Sequence, residues 1–137
     1  MNDIQYMQIA LELAERGRGS VEPNPLVGCV IVKDDQIIGK GFHEKFGAAH
    51  AEINALADCQ NNGNDPQDAV MYVTLEPCCH QGKTAPCTDA VIKSKVRKLV
   101  IASVDTEAHA SGKGIKLLKE AGIEVVTGIC EKQARQL

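Results

Sequence analysis

Residues 70–102 read VMYVTLEPCCHQGKTAPCTDAVIKSKVRKLVIA, and this stretch decides the fold. Val70 to Leu75 is an apolar, β-branched run of strand length that passes straight into Glu76-Pro77-Cys78. Pro86 to Lys95 suits a helix with a proline in its first turn, and Lys98 to Ala102 has the unbroken apolar character of a buried strand. Strand, helix and strand in that order predict a parallel pair joined by a right-handed crossover. Further along, Gly112 to Ala121 predicts a helix closed by Gly122, followed by a last strand over Ile123 to Thr127. Upstream, Leu26 to Val32 and Gln36 to Gly41 predict a hairpin turning at Asp34-Asp35, a pair that is not the Asn-Gly or Asp-Gly such turns favour. Ile53, Leu56 and Ala57 mark a helix that starts near His50 or Ala51 and is ended by the polar run Asn61 to Pro66. Ile4, Met7, Leu11 and Ala14 recur at helical spacing, which predicts a first helix over residues 3–16 stopped by Gly17 and Gly19. The sum is an α/β chain: a three-layer α/β/α sandwich around a mixed five-stranded sheet, the hairpin adding an antiparallel edge.

A length of 137 residues suits one domain with a single core. Aromatic residues are 3% with no Trp, and the formal net charge is −3, so stacking platforms and a basic face for nucleic acid are both wanting. A small-molecule substrate is expected instead. No apolar run approaches the roughly 20 residues that span a bilayer, and the N-terminus has an amphipathic helix pattern rather than that of a signal peptide. The expected location is therefore cytoplasmic, away from membranes. In a reducing compartment the six cysteines read as ligands, catalytic groups or small core residues rather than as a disulfide framework.

His50-Ala51-Glu52, Pro77-Cys78 and Cys87 form the constellation that carries chemistry. One imidazole and two thiolates suit a tetrahedral zinc that keeps its fourth position for water. Zinc deaminases show an H-x-E and P-C-x-x-C signature in which the Glu is not a ligand. The first half is present here, but eight residues, Cys79 to Pro86, separate the two thiols where the short form has two. Cys78 and Cys87 each follow a proline, which places a cysteine near the first turn of a helix, where the dipole lowers the thiol pKa. Cys79 and His80 are rival ligands, and a zinc closed by either of them would be purely structural. Residues two apart on a helix do not face each other, so His50 and Glu52 converge only if His50 sits at the helix entrance. The expected chemistry is hydrolysis of a cyclic amidine, with Glu52 moving the protons.

Pro23-Asn24-Pro25-Leu26-Val27-Gly28-Cys29-Val30, Gly41-Phe42-His43 with Gly47, His50-Ala51-Glu52, and the run from Thr74 to Asp89 resemble the deaminase domain of the bifunctional riboflavin-biosynthesis deaminase/reductases. The resemblance covers nearly the whole chain, and the long loop between the cysteines is usual in that family. It implies a cytidine deaminase-like fold, one Zn2+ per chain held by His50, Cys78 and Cys87, and a 2,5-diamino-6-ribosylamino-4(3H)-pyrimidinone 5′-phosphate substrate. It also implies a homo-oligomer, with Asn24, His43, Lys83, Thr84 and Asp105 lining the substrate site. The family usually shows D-P-N-P after the fourth strand, whereas this chain has Asp105-Thr106-Glu107-Ala108. The chain stops at Leu137, near where a reductase domain would begin, so a single deaminase domain without hydride transfer is expected. Two rival readings are a deaminase of another base or nucleotide, such as cytosine, guanine, deoxycytidylate or tRNA adenosine, and a zinc-stabilised binding module without catalysis. The acidic balance opposes tRNA, and Glu52 opposes the loss of catalysis.

Overall fold

The computed structural model describes residues 2–22, 24–77, 87–104 and 113–137. Strands β1 (Gly28–Lys33), β2 (Gln36–Phe42), β3 (Val70–Leu75), β4 (Lys98–Ser103) and β5 (Glu124–Thr127) form one sheet in the order β2-β1-β3-β4-β5. β1 runs antiparallel to both of its neighbours, while β3, β4 and β5 pair in parallel. The sheet is mixed, with the hairpin at one edge as the sequence predicts. β2 thus points the same way as β3, β4 and β5, and β1 alone opposes them.

Alternate side chains of the inner strands enter two separate cores. Cys29, Ile31, Met71, Val73, Leu99 and Ile101 pack on one face with residues of α2 (Ala51–Asn61), α3 (Cys87–Ser94) and α4 (Lys113–Glu120). Val30, Val32, Tyr72, Val100 and Ala102 pack on the other with α1 (Asp3–Glu15) and with Ala134 of α5 (Glu131–Arg135). Burial on both faces is why β3 and β4 read as continuous apolar runs, and it confirms the three layers. Among the described residues no helix is long and apolar enough to cross a membrane.

The hairpin turn solves its problem without glycine. Asp34 and Asp35 both adopt positive φ, 52° and 61°, as a type I′ turn requires of its two central residues. Aspartate tolerates that region better than most side chains. The Asp35 carboxylate also accepts a hydrogen bond from the Tyr6 hydroxyl at 2.6 Å, which ties the turn to α1.

A second tyrosine fastens the same end of that helix to the sheet. Tyr72 donates from its hydroxyl to Asp3 at 2.6 Å, and burial, together with that carboxylate, pushes its pKa well above the ordinary tyrosine value. A folded-state pKa above the unfolded one means stabilisation fully present below about pH 10 and lost as pH rises beyond it. Tyr72→Phe should therefore cost about 1.5–3 kcal/mol at neutral pH, the scale of a hydrogen bond to a charged group. The deficit against wild type, measured by denaturant unfolding, should shrink above about pH 10. A deficit unchanged by alkali would mean that the hydroxyl contributes only through packing.

Helix α2 lies directly on β2. A Cβ at Gly41 would sit 2.4 Å from the Ala55 nitrogen and 2.7 Å from the Ala51 oxygen, so only a residue without a side chain permits this approach. Ala51, Ala55 and Cys59 turn their small side chains inward along the same seam. α2 also satisfies the edge strand: the Lys40 N–H donates to Asp58 at 2.9 Å, and the Asn54 amide donates to the Phe42 carbonyl at 2.8 Å. The first turn of α2 is thereby fixed against the end of β2.

Gly122, at φ 90°, follows α4 where the sequence places its end. α5 has no counterpart in the sequence reading. It has five residues and buries only Ala134, too little for a helical period to register.

Candidate active site

Because β2, β3 and β4 run in one direction and β1 in the other, the carboxyl ends of three strands and the start of β1 share one edge of the sheet. Asn24 precedes β1 at this edge, His43 follows β2, and Glu76-Pro77 follow β3. In open α/β sheets ligands bind outside the carboxyl ends of the strands. β3 and β4 end there just before residues 78–86 and 105–112. Cys78, Cys79, His80, Lys83, Thr84, Asp105 and Glu107, all named from the sequence, lie outside the described residues.

His50 is the N-cap of α2, with extended backbone at φ −76° and ψ 168°. Its side chain makes no capping bond and instead brings Nδ1 to 3.1 Å from the Cys87 sulfur. Cys87 is the first residue of α3 and is buried. Glu52, the second residue of α2, is only 3% exposed, so a carboxylate is held in the interior in the first turn of that helix. His50 thus stands outside the helix at its entrance, the position the sequence requires if it is to converge with Glu52.

His43 is buried and stands edge-on to His50, with ring centroids 5.3 Å apart and planes at 90°. Its Nδ1 lies 3.2 Å from the Ala49 carbonyl and its Nε2 lies 3.2 Å from the Asn24 amide nitrogen. A carbonyl only accepts, so Nδ1 carries the ring proton and donates it. With that tautomer Nε2 accepts from the Asn24 amide. Asn24 and His43, both implied by the family resemblance, are thus one hydrogen-bonded unit. The Asn54 amide also donates to the Ala49 carbonyl, at 3.3 Å, which holds the His43–His50 connection to α2.

Cys29 and Cys59 are buried core residues. Burial first, and the Glu52 charge second, push the Cys29 thiol well above its ordinary pKa, which keeps it protonated and inert.

The donor set fits zinc. With Zn–N near 2.0–2.1 Å and Zn–S near 2.3 Å, nitrogen and sulfur ligands of a tetrahedral site stand about 3.6 Å apart. His50 Nδ1 and Cys87 Sγ, at 3.1 Å, have converged to within about half an ångström of that separation. Both come from helix N-termini, whose positive ends favour a thiolate. Among the described residues no group of three ligating side chains converges.

The family model for the cytidine and deoxycytidylate deaminase zinc-binding region matches residues 1–103, and the chain belongs to that family of deaminases. Within it the chain's place is with the diaminohydroxyphosphoribosylamino-pyrimidine deaminases. It is 50% identical over 136 residues to the protein of that name from Buchnera aphidicola subsp. Acyrthosiphon pisum, covering 99% of this chain and 90% of the relative. The riboflavin biosynthesis protein RibD of Aquifex aeolicus is 49% identical over 135 residues, covering 98% of this chain and 37% of the relative. The structure of RibD from Acinetobacter baumannii superposes with a TM-score of 0.93 at 53% identity, covering 98% of this chain and 37% of that one. The chain thus spans little more than a third of the length of these two longer relatives. The cytidine deaminase-like fold expected from the sequence is the fold observed.

Sequence reasoning gave no role to Glu76 or Gly114. Glu76 is buried, and its carboxylate accepts a hydrogen bond from the Gly114 N–H at 3.2 Å. An acidic residue directly before Pro-Cys, and a glycine in the first turn of a helix, were the available signals.

Proposed function

We propose that this chain hydrolytically deaminates 2,5-diamino-6-ribosylamino-4(3H)-pyrimidinone 5′-phosphate, holding one zinc ion through His50, Cys78 and Cys87. The observation that carries this reading is the 3.1 Å approach of His50 to Cys87, with Glu52 buried in the first turn of the helix that His50 caps. The 50% identity to a deaminase of that name, over nearly the full length of both chains, supports the choice of substrate.

Zinc, when bound, would lower the pKa of a water molecule to about 7 and make it a nucleophile at neutral pH. Glu52 takes one proton from the attacking water and gives it to the ring nitrogen, then takes the second from the hydroxyl added to the ring carbon and gives it to the departing amine. A carbon–oxygen bond forms, a carbon–nitrogen bond breaks, and water is exchanged for ammonia. His43, by accepting from the Asn24 amide nitrogen, leaves the Asn24 amide oxygen as the acceptor for a donor on the substrate. Lys83, Thr84 and Asp105 complete the proposed substrate set, Lys83 matching the phosphate by charge. Assembly as a homo-oligomer, within a single deaminase domain, belongs to the same reading.

Ammonia release from a panel of substrates tests it. The phosphorylated diaminopyrimidine should be turned over in preference to cytosine, guanine and deoxycytidylate. Glu107 stands where the family pattern has an amide, and a charge within a Debye length of roughly 8 Å would oppose the substrate phosphate. Glu107→Asn should therefore raise kcat/KM for the phosphorylated compound but not for its dephosphorylated counterpart. An unchanged ratio would remove Glu107 from specificity.

A further inference from the structure

Helices leave their first backbone N–H groups without intrahelical partners, and a nearby Ser, Thr or Asp usually serves them. The first turn of α4 has no acidic residue of its own. Its Gly114 N–H is served by Glu76, which lies 38 residues earlier at the end of β3. The main chain of Glu76 is anchored separately, since its N–H donates to the Ser103 carbonyl at 3.0 Å and extends the β3–β4 ladder. Within Glu76 it is the side chain that reaches across to α4.

The approach is close enough to explain the glycine. A Cβ at Gly114 would lie 2.8 Å from the Pro77 oxygen, 3.2 Å from Glu76 Oε2 and 3.3 Å from Thr88 Cγ2. Three segments meet at this point, and each adjoins a part of the proposed site. Pro77 precedes Cys78, Thr88 follows Cys87, and Gly114 follows residues 105–112, which include the proposed substrate residue Asp105. Burying a carboxylate is costly unless it is well paired, and a remote carboxylate is a demanding way to cap a helix. A local cap would serve α4 equally well, but it would not tie α4 to the Pro77 corner.

We infer that Glu76 is a positioning residue that holds the start of α4, and with it the substrate side of the site, in register with the metal side. The inference rests on the deaminase reading above. Because His50 and Cys87 are carried by α2 and α3, and the Glu76 main chain keeps its bond to Ser103, loss of the side chain should spare the metal and weaken the substrate.

The test is Glu76→Ala beside Glu76→Gln, which keeps an acceptor oxygen. Glu76→Ala should retain wild-type zinc content and raise KM about tenfold, the effect of losing a bond worth roughly 1.4 kcal/mol, with kcat little changed. Glu76→Gln should restore KM to near the wild-type value. An unaltered KM in a merely less stable Glu76→Ala protein would reduce Glu76 to a structural cap and overturn the inference, as would loss of zinc. Gly114→Ala strains the same contact from the other side and should raise KM in the same sense if Glu76→Ala does not fold; an unchanged KM there also counts against the inference. Hydrogen exchange separates this from the deaminase assignment: Glu76→Ala should speed exchange in the first turn of α4 and not in α2, whatever the reaction. Absence of turnover in wild type, with that exchange pattern present, would sink the deaminase reading but leave the tie itself intact.

Discussion

Glu52→Gln should keep its zinc and its fold while losing turnover by at least roughly 10²- to 10⁴-fold, the range of a positioned general acid or base. The side chains are nearly isosteric, and Glu52 is buried in the first turn of α2, so packing changes little. What changes is chemistry, because an amide cannot take a proton from water and deliver it to a ring nitrogen and an amine. Zinc content by elemental analysis and kcat by ammonia release check the two halves separately. Near-normal turnover would remove Glu52 from the mechanism, and loss of zinc would make it a ligand instead.

Cys87→Ser should abolish both stoichiometric zinc and activity. The hydroxyl is a far weaker zinc ligand than a thiolate, and the 3.1 Å approach to His50 Nδ1 leaves Cys87 as the sulfur facing that imidazole among the described residues. His50→Ala and Cys78→Ser should behave alike. Cys79→Ser should retain the metal, since adjacent side chains in a turn diverge and Cys78 is the proposed ligand of the two. Retained stoichiometric zinc in Cys87→Ser would reject the ligand set.

Most of the architecture was legible in the chain because burial on both sheet faces leaves unbroken apolar runs at β3 and β4, and because Gly122 punctuates α4. His50 as the entrance to α2 followed from a geometric necessity, the divergence of residues two apart on a helix. What escaped depends on contacts distant in sequence. The glycine-free turn at Asp34-Asp35 is supported by Tyr6, 29 residues before Asp35, and no local pattern announces that bond. Gly41 reads as an ordinary strand residue until the α2 backbone is seen against it. Asn24 and His43 were both singled out through the family resemblance, yet their hydrogen bond needed the chain folded. Glu76 and Gly114 belong to the same class, a pairing between a strand end and a helix start.

Hydrolysis at this edge of the sheet is the central claim, and solvent-oxygen labelling tests it most directly. The phosphorylated diaminopyrimidine is incubated with the zinc-loaded protein in water enriched in oxygen-18, and the product is examined by mass spectrometry. One solvent oxygen should become the new carbonyl oxygen on the ring for each ammonia released by wild type, and Glu52→Gln should yield little product of either kind. Ammonia released without incorporation of the label, or no product from the fully zinc-loaded wild type, would contradict it.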